Sequence, residues 1–221
     1  MDNTNKRITT VFPTLAKQPI KAVSAKGITI TDENGKEYLD FSSGVAVVGI
    51  GHGVQEVTDA VVEQMDKASF LYRGLFSNDA TLELSDRVID MAPDNMARIF
   101  FCCSGSEATE SAIKIARQYQ IERGKPTKWK VISKWQEYHG NTMMGLSVSG
   151  RGNWRTLYDP YLTRVPHIPQ CNCYHCPLGL SYPACGCRCA YELERVIKAE
   201  DPSTVSAFFF ETIGGATGGC V

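Results

Sequence analysis

The sequence has 221 residues, of which 43% are apolar, and this is enough to bury the core of one large domain. Its formal net charge is −1, because Lys and Arg residues are spread along the chain in balance with Asp and Glu residues. This balance argues against nucleic acid or an anionic membrane as a partner. The polar start of the chain and the lack of an apolar run of about 18 residues argue against a signal peptide or a membrane-spanning helix. We therefore expect a cytoplasmic protein.

The first part of the chain is predicted to contain an arm, a hairpin and a helix. Residues 1–25 are polar, with scattered proline and no clear period, which indicates an arm. Residues 26–41 alternate apolar and polar side chains around Asn34-Gly35, the dipeptide that favours a tight hairpin turn. A glycine-rich loop then leads into residues 54–68, whose apolar positions fit one helical face.

Helices and strands are predicted to alternate in the rest of the chain. Helical spacing recurs over residues 79–91 and again over 107–120, with an apolar strand over 98–103 between them. Two further strands are predicted over 129–134 and 205–211. This alternation indicates an α/β layer with a mainly parallel sheet, in which ligands bind at the carboxyl ends of the strands.

Ser104, Gly105 and Ser106 stand where one of these strands meets the following helix. A glycine lets the backbone approach a ligand closely, and the free N–H groups and the dipole of the first helical turn favour a phosphate. Ser106 is also predicted to cap the helix, with Glu107 and Glu110 in its first turn. Because a capped helix after a strand needs no ligand, these residues alone leave phosphate binding open.

Several separate motifs match one pattern, and the chain resembles the class III pyridoxal-phosphate-dependent aminotransferases of fold type I. The match includes the Ser-Gly-Ser-Glu-Ala segment at 104–108, the aromatic-His-Gly-x-Thr turn at 138–142 and a strand-Glu-glycine segment at 210–219. The resemblance implies that residues 71–221 form an incomplete fold type I large domain, with a mainly parallel sheet flanked by helices. It also implies that residues 1–70 belong to the small domain and the subunit interface.

The resemblance implies a cofactor site made of six residues: Ser104, Gly105, Ser106, Tyr138, His139 and Glu211. The first three match positions that bind the phosphate of pyridoxal phosphate. Tyr138 matches the aromatic residue on the face of the pyridine ring, and Glu211 matches a carboxylate near the cofactor. From the residues alone, Tyr138 could instead be a buried edge residue, Glu211 a solvated strand end and His139 a packed loop histidine.

The chemistry of the family also needs a lysine that holds the cofactor as a Schiff base and a carboxylate that keeps the pyridine nitrogen protonated. In the family both lie beyond the glycine-rich segment that matches residues 214–219. No lysine of this chain matches the Schiff-base position, so no catalytic residue is assigned here. We therefore expect the sequence to be truncated at its C-terminus and the fragment itself to be inactive.

The implied activity is transfer of an amino group between an amine or amino acid and an oxo acid or aldehyde, by a homodimer when the protein is complete. An amino acid racemase or aminomutase of the same fold is an alternative, because these reactions share their early steps. A cysteine-rich metal-binding interaction protein without catalysis is an alternative of another class. Asn141 stands where family members acting on acetylated ornithine carry an arginine, which argues against that substrate.

Six of the nine cysteines lie within residues 171–189, an insertion that is unusual for an aminotransferase. The short spacings, with His175 between them, could supply four ligands to a tetrahedral zinc ion. The candidate ligands are Cys173, Cys176, Cys185, Cys187 and Cys189. Because the second half lacks a C-x-x-C pair, structural zinc, a disulfide and free thiols in a surface loop all remain open.

Overall fold

A computed structural model describes residues 19–217 of the chain, so that most of the predicted N-terminal arm and the last four residues lie outside the described part. The chain divides into two compact units, with the boundary between Asp94 and Asn95. The sequence places a domain boundary near residue 70, and that division stays a prediction. No helix in the described range is long and apolar enough to cross a membrane.

The first unit begins with an antiparallel sheet of three strands: β1 (Ala22–Lys26), β2 (Thr29–Asp32) and β3 (Glu37–Leu39). Strands β2 and β3 confirm the predicted hairpin, and Gly35 in its turn has a φ of +79°, which glycine tolerates best. The buried Asp32 carboxylate accepts hydrogen bonds from the Asn34 and Lys36 N–H groups and from the Tyr38 hydroxyl. These bonds hold the turn in place.

A short left-handed turn and two helices complete the first unit: α1 (Ser43–Ala46), in which all four residues have a positive φ, α2 (Gln55–Lys67) and α3 (Asp79–Met91). The last two confirm the predicted helices, and the Asn78 side chain caps α3 by accepting a hydrogen bond from the Thr81 N–H group. Neither α2 nor α3 buries a residue. The predicted arm ends earlier than residue 25, because Ala22–Lys26 pairs with β2.

The second unit alternates helices and strands: α4 (Gly105–Glu122), β4 (Lys130–Lys134), α5 (Met143–Val148), α6 (Gly152–Arg155), β5 (His167–Ile168), α7 (Arg188–Ala199) and β6 (Val205–Phe208). Two short 3₁₀ turns cover Asp159–Tyr161 and Gly215–Thr217. The strands lie in the order β5-β4-β6, and both pairs are parallel. The predicted α/β layer with a parallel sheet is confirmed.

Two predicted strands differ from the structure. Residues 98–103 belong to no strand ladder among residues 19–217, so the predicted strand before α4 is wrong. An apolar run indicates burial, but a strand also needs a neighbouring backbone to pair with, and the sequence does not specify one. The predicted strand over 205–211 forms but ends at Phe208.

The core of the second unit lies on both faces of β4. Successive residues of a strand point to opposite faces, so Val131 packs with Val148 on one side while Ile132 packs with Ile168 and Val196 on the other. Side chains of α4 and α5 contact the first cluster, and side chains of α7 contact the second. The sheet is thus covered by helices on both faces, which fixes the carboxyl ends of β4 and β6 at one edge.

Candidate active site

The N-terminus of α4 is held by Ser104, whose Oγ accepts a hydrogen bond of 3.2 Å from the Glu107 N–H group. Glu107 in turn accepts a bond of 2.7 Å from the Cys103 N–H group. This is a variant of the capping box, in which a cap and a carboxylate three residues later satisfy backbone donors of the first turn. The prediction that Ser106 caps the helix is wrong, because α4 begins at Gly105, two residues earlier than the spacing indicates.

Ser106 instead joins the helix to the turn at residues 138–142. Its Oγ accepts a hydrogen bond of 2.9 Å from the Asn141 N–H group. Gly140 has a φ of +116°, and a Cβ atom at this position would lie 2.9 Å from the Cα atom of Ser106. The turn can therefore lie against the first turn of α4 only because residue 140 has no side chain.

Gly105, on the other hand, faces open space. A Cβ atom built at Gly105 would meet no atom within 4 Å. None of the hydrogen bonds among residues 19–217 uses the N–H groups of Gly105 and Ser106. Together with the positive end of the α4 dipole, these two donors form an open position suited to an anion.

Glu211, which follows β6, connects two neighbouring strand ends. Its Oε1 accepts a hydrogen bond of 2.7 Å from the Tyr138 N–H group, and its carbonyl oxygen accepts one of 3.2 Å from the Lys134 ammonium group. Tyr138 is 44% exposed, and its ring packs in a T-shaped arrangement with the Trp154 ring at a centroid distance of 5.0 Å. Glu211 therefore fixes the backbone of Tyr138, while the residue remains nearly half exposed.

A buried carboxylate lies below this turn. Glu137 is only 2% exposed, with Oε1 at 2.7 Å from Lys134 Nζ and Oε2 at 3.2 Å from His139 Nε2. Burial raises the pKa of the Glu137 carboxyl, but hydrogen bonds from His139, Lys134 and the Glu211 backbone outweigh it, so the pKa lies below its ordinary value. Since an ionised carboxylate only accepts hydrogen bonds, Nε2 of His139 carries the proton.

His139 occupies the buried side of the turn. Its ring Nε2 lies 3.3 Å from Ser133 Oγ and the ring packs in a T-shaped arrangement with Phe209, while its backbone N–H group donates a hydrogen bond to Ser149 Oγ. The structure therefore brings together Ser104, Gly105, Ser106, Tyr138 and Glu211 through helix, turn and strand end, and places the His139 ring beneath them. Glu137, Lys134 and Gly140 also belong to this arrangement, although periodicity and spacing did not point to them.

The cysteine-rich insertion contains no group of three or more Cys, His, Asp or Glu side chains that could hold a metal ion among residues 19–217. A structural zinc site needs four ligands that converge on one point. The five predicted ligands, Cys173, Cys176, Cys185, Cys187 and Cys189, do not converge in this way, so the zinc prediction is not supported. All eight described cysteines are free thiols.

A parallel α/β sheet, an open helix N-terminus suited to an anion, and an aromatic ring and a carboxylate at the adjacent strand ends define the class of phosphate-binding α/β proteins. A model of the family "Aminotransferase class-III" matches residues 13–221. The chain belongs to the class III aminotransferase family, and its fold is fold type I.

Curated relatives agree with this family. The chain is 35% identical over 199 residues to a probable aminotransferase, Rv3329, of Mycobacterium tuberculosis, covering 90% of this chain and 42% of the relative. It is 34% identical over 200 residues to the diaminobutyrate–2-oxoglutarate transaminase of Halomonas elongata, covering 89% of this chain and 42% of the relative. The chain therefore spans less than half the length of these relatives.

Solved structures show the same fold. An amine transaminase from an uncultivated Pseudomonas species, solved in its PLP-bound form, matches with a TM-score of 0.87 and 28% identity. The match covers 93% of this chain and 48% of that structure.

We expect the substitution Gly140→Ala to lower the free energy of unfolding of the second unit by about 2–4 kcal/mol, because it adds a clash with Ser106 to the cost of a positive φ. Gly124→Ala is the matched control, since Gly124 also has a positive φ but has open space around its Cβ position, and should cost only about 1 kcal/mol. Urea unfolding followed by tryptophan fluorescence measures both, because Trp129, Trp135 and Trp154 all lie in this unit. Equal losses in the two variants would contradict the close approach.

Because Glu137 is buried and ionised, we expect the free energy of unfolding to depend on pH in the acid range. Because its pKa is lower in the folded state than in the unfolded state, Glu137 contributes stability above its unfolded pKa and loses it as the pH falls through its folded pKa. The substitution Glu137→Gln should flatten this acid dependence. At pH 7 it should also cost about 3 kcal/mol, because the Lys134 ammonium group then lacks its buried partner.

Glu194→Gln on α7 is the control for this experiment. The pKa of Glu194 is also lowered by a hydrogen bond from Lys198, but both side chains are exposed to solvent, so the substitution should leave stability and its pH dependence nearly unchanged. Urea unfolding at a series of pH values between neutrality and about pH 3 compares the two variants. An acid dependence that is unchanged in Glu137→Gln would show that the pKa of this carboxyl is not linked to folding.

Proposed function

We propose that the protein is a pyridoxal-phosphate-dependent aminotransferase, which moves an amino group between an amine or amino acid and an oxo acid or aldehyde. The observation that carries this proposal is that the turn at 138–142 contacts the N-terminus of α4, while the backbone N–H groups of Gly105 and Ser106 stay open to a ligand. Family membership supports the same activity.

The residues present fit a phosphorylated aromatic cofactor. The N–H groups of Gly105 and Ser106, at the start of α4, would bind the phosphate, and Ser104 holds that helix start in place. Tyr138 would lie against the pyridine ring, since the residue is nearly half exposed and its backbone is fixed by Glu211. When bound, pyridoxal phosphate supplies an electron sink for bond breaking at the amine carbon of the substrate.

Glu211 would have two roles in this site. Its carboxylate positions Tyr138, and its carbonyl oxygen anchors Lys134. Lys134 is held by Glu137 and is largely buried, which supports a positioning role for this lysine rather than one as a nucleophile. His139 would stabilise the turn from below through Glu137 and Ser133.

Asn141 provides evidence about which substrate the site could bind. Its backbone N–H group is used by Ser106, whereas its side chain is exposed beside the turn. An amide in place of an arginine lacks the charge and the planar fork that bind a carboxylate in two places. We therefore propose a substrate other than an acetylated ornithine.

The cofactor proposal predicts that the phosphate group is required for binding. The purified chain should bind pyridoxamine phosphate at least about 10-fold more tightly than pyridoxamine, because charged hydrogen bonds at the α4 N-terminus contribute roughly 1.5 kcal/mol or more. Ser106→Ala should reduce this preference, because it removes a hydroxyl of the site and the bond to Asn141. Titration calorimetry measures the affinities.

Ser111→Ala is the matched control, since Ser111 lies on the same helix but away from its N-terminus. The control should bind both compounds as the unchanged chain does, and circular dichroism checks that each variant is folded. Equal affinity of the unchanged chain for pyridoxamine phosphate and pyridoxamine would overturn the proposed phosphate site. Amino transfer itself is assayed with the protein purified from its natural source, where failure to aminate any oxo acid in the presence of pyridoxal phosphate would overturn the activity.

We further propose a homodimer in the cytoplasm. The free thiols support a reducing compartment. The segment 70–76 supports a subunit interface, because its apolar side chains Phe70, Leu75 and Phe76 are each more than 60% exposed. In sedimentation velocity the protein from its natural source should be a dimer, and Phe70→Glu introduced into that protein should shift it towards the monomer. Tyr174→Glu, at a similarly exposed aromatic position outside this segment, should leave the dimer intact; a natural-source protein that is monomeric at all concentrations contradicts the proposal.

A further inference from the structure

Two thiols of the cysteine-rich insertion lie in contact. The Sγ atoms of Cys171 and Cys189 are 3.6 Å apart, and both side chains are partly buried. A disulfide has a sulfur–sulfur distance of about 2.05 Å, so the two sulfur atoms need to approach by only about 1.5 Å to form one.

The two cysteines connect different elements of the second unit. Cys171 follows the carboxyl end of β5, whereas Cys189 lies in the first turn of α7, 18 residues further along the chain. The start of α7 has no side-chain cap bond, and its N-cap residue Cys187 has a left-handed conformation. A covalent link at Cys189 would therefore fix the start of this helix to the sheet.

The other thiols of the insertion are placed differently. Cys173 and Cys187 are exposed, and Cys176 and Cys185 line a small pocket together with Cys173 and Cys189. Within the described residues only the pair of Cys171 and Cys189 has sulfur atoms in direct contact. This makes one pairing strongly preferred among six neighbouring thiols.

We propose that Cys171 and Cys189 are a reversible redox site, which a peroxide or a small-molecule disulfide converts into an intramolecular disulfide. With hydrogen peroxide, the thiolate of one cysteine attacks an oxygen atom, the O–O bond breaks, and a sulfenic acid and water form. The sulfur of the second cysteine then attacks the first sulfur, the S–O bond breaks and a second water leaves. Two thiols lose two electrons in total, and the peroxide gains them.

The surroundings of Cys171 set the conditions for this reaction. Burial raises the pKa of the Cys171 thiol, the neighbouring Cys189 raises it further, and the charge of Lys134 acts in the opposite direction. Because the thiolate is the nucleophile, oxidation should become faster as the pH rises above neutrality. A thiol reductant should reverse the reaction by exchange.

The test uses the purified full chain, reduced, desalted and then treated with about one equivalent of hydrogen peroxide. Remaining thiols are alkylated under denaturing conditions, and peptides are mapped by mass spectrometry without reduction. We expect two of the nine thiols to become protected and one cross-linked peptide pair, Cys171 with Cys189, to dominate. Dithiothreitol should restore both thiols, and the disulfide should raise the Tm by about 5 °C, because it closes a loop in the unfolded chain.

Cys189→Ser should abolish the cross-link, whereas Cys173→Ser, which removes a more exposed thiol of the same loop, should leave it unchanged. The peptide map of the oxidised, unsubstituted chain tests the proposed disulfide even where a variant fails to fold. Cross-links spread over several cysteine pairs, a dominant bond to Cys173 or Cys176, or oxidation to sulfinic acid without a cross-link would each overturn the proposal.

Discussion

The close approach of Gly140 to the first turn of α4 is the constraint on which the rest of the candidate site depends. Because a Cβ atom at residue 140 would lie 2.9 Å from the Ser106 Cα atom, the turn and the helix can meet only through a glycine. The bond from the Asn141 N–H group to Ser106 forms at the same contact. The following residue, Thr142, then caps α5, so that this one contact also sets where the next helix begins.

The buried carboxylate of Glu137 is a second constraint, which acts on the buried side of the turn at 138–142. A buried charge is costly unless it is paired and hydrogen-bonded, and Glu137 has an ammonium group, an imidazole N–H group and a backbone N–H group as partners. These partners come from the end of β4, the turn itself and the segment after β6. The turn that carries Tyr138 is thus fixed on its buried side by charge and on its exposed side by the Glu211 carboxylate.

The sequence predicts the elements of this site better than it predicts the contacts between them. The helices α2, α3 and α4 and the hairpin follow from local periodicity and from Asn34-Gly35, which act over a few residues. The strand expected over 98–103 did not form a ladder, because pairing depends on a distant partner. Glu137 could not be assigned a role for a different reason. Its partners Lys134 and His139 are near in sequence, but its burial depends on the packing of the whole unit. The cap at Ser104 was missed because serines at 104 and 106 give the same local signal.

The two proposals concern the same edge of the parallel sheet. Lys134 ends β4, donates to the Glu211 carbonyl oxygen and pairs with Glu137, and its charge also acts on the Cys171 thiol beyond β5. Because β5 and β4 are parallel neighbours, the residues that follow them leave the sheet at the same side. A disulfide at Cys171 would therefore restrict the chain directly after β5, next to the lysine that helps to hold Tyr138 and Glu211 in place. The proposed redox site and the proposed cofactor site thus both lie within reach of the charge of one largely buried ammonium group, that of Lys134.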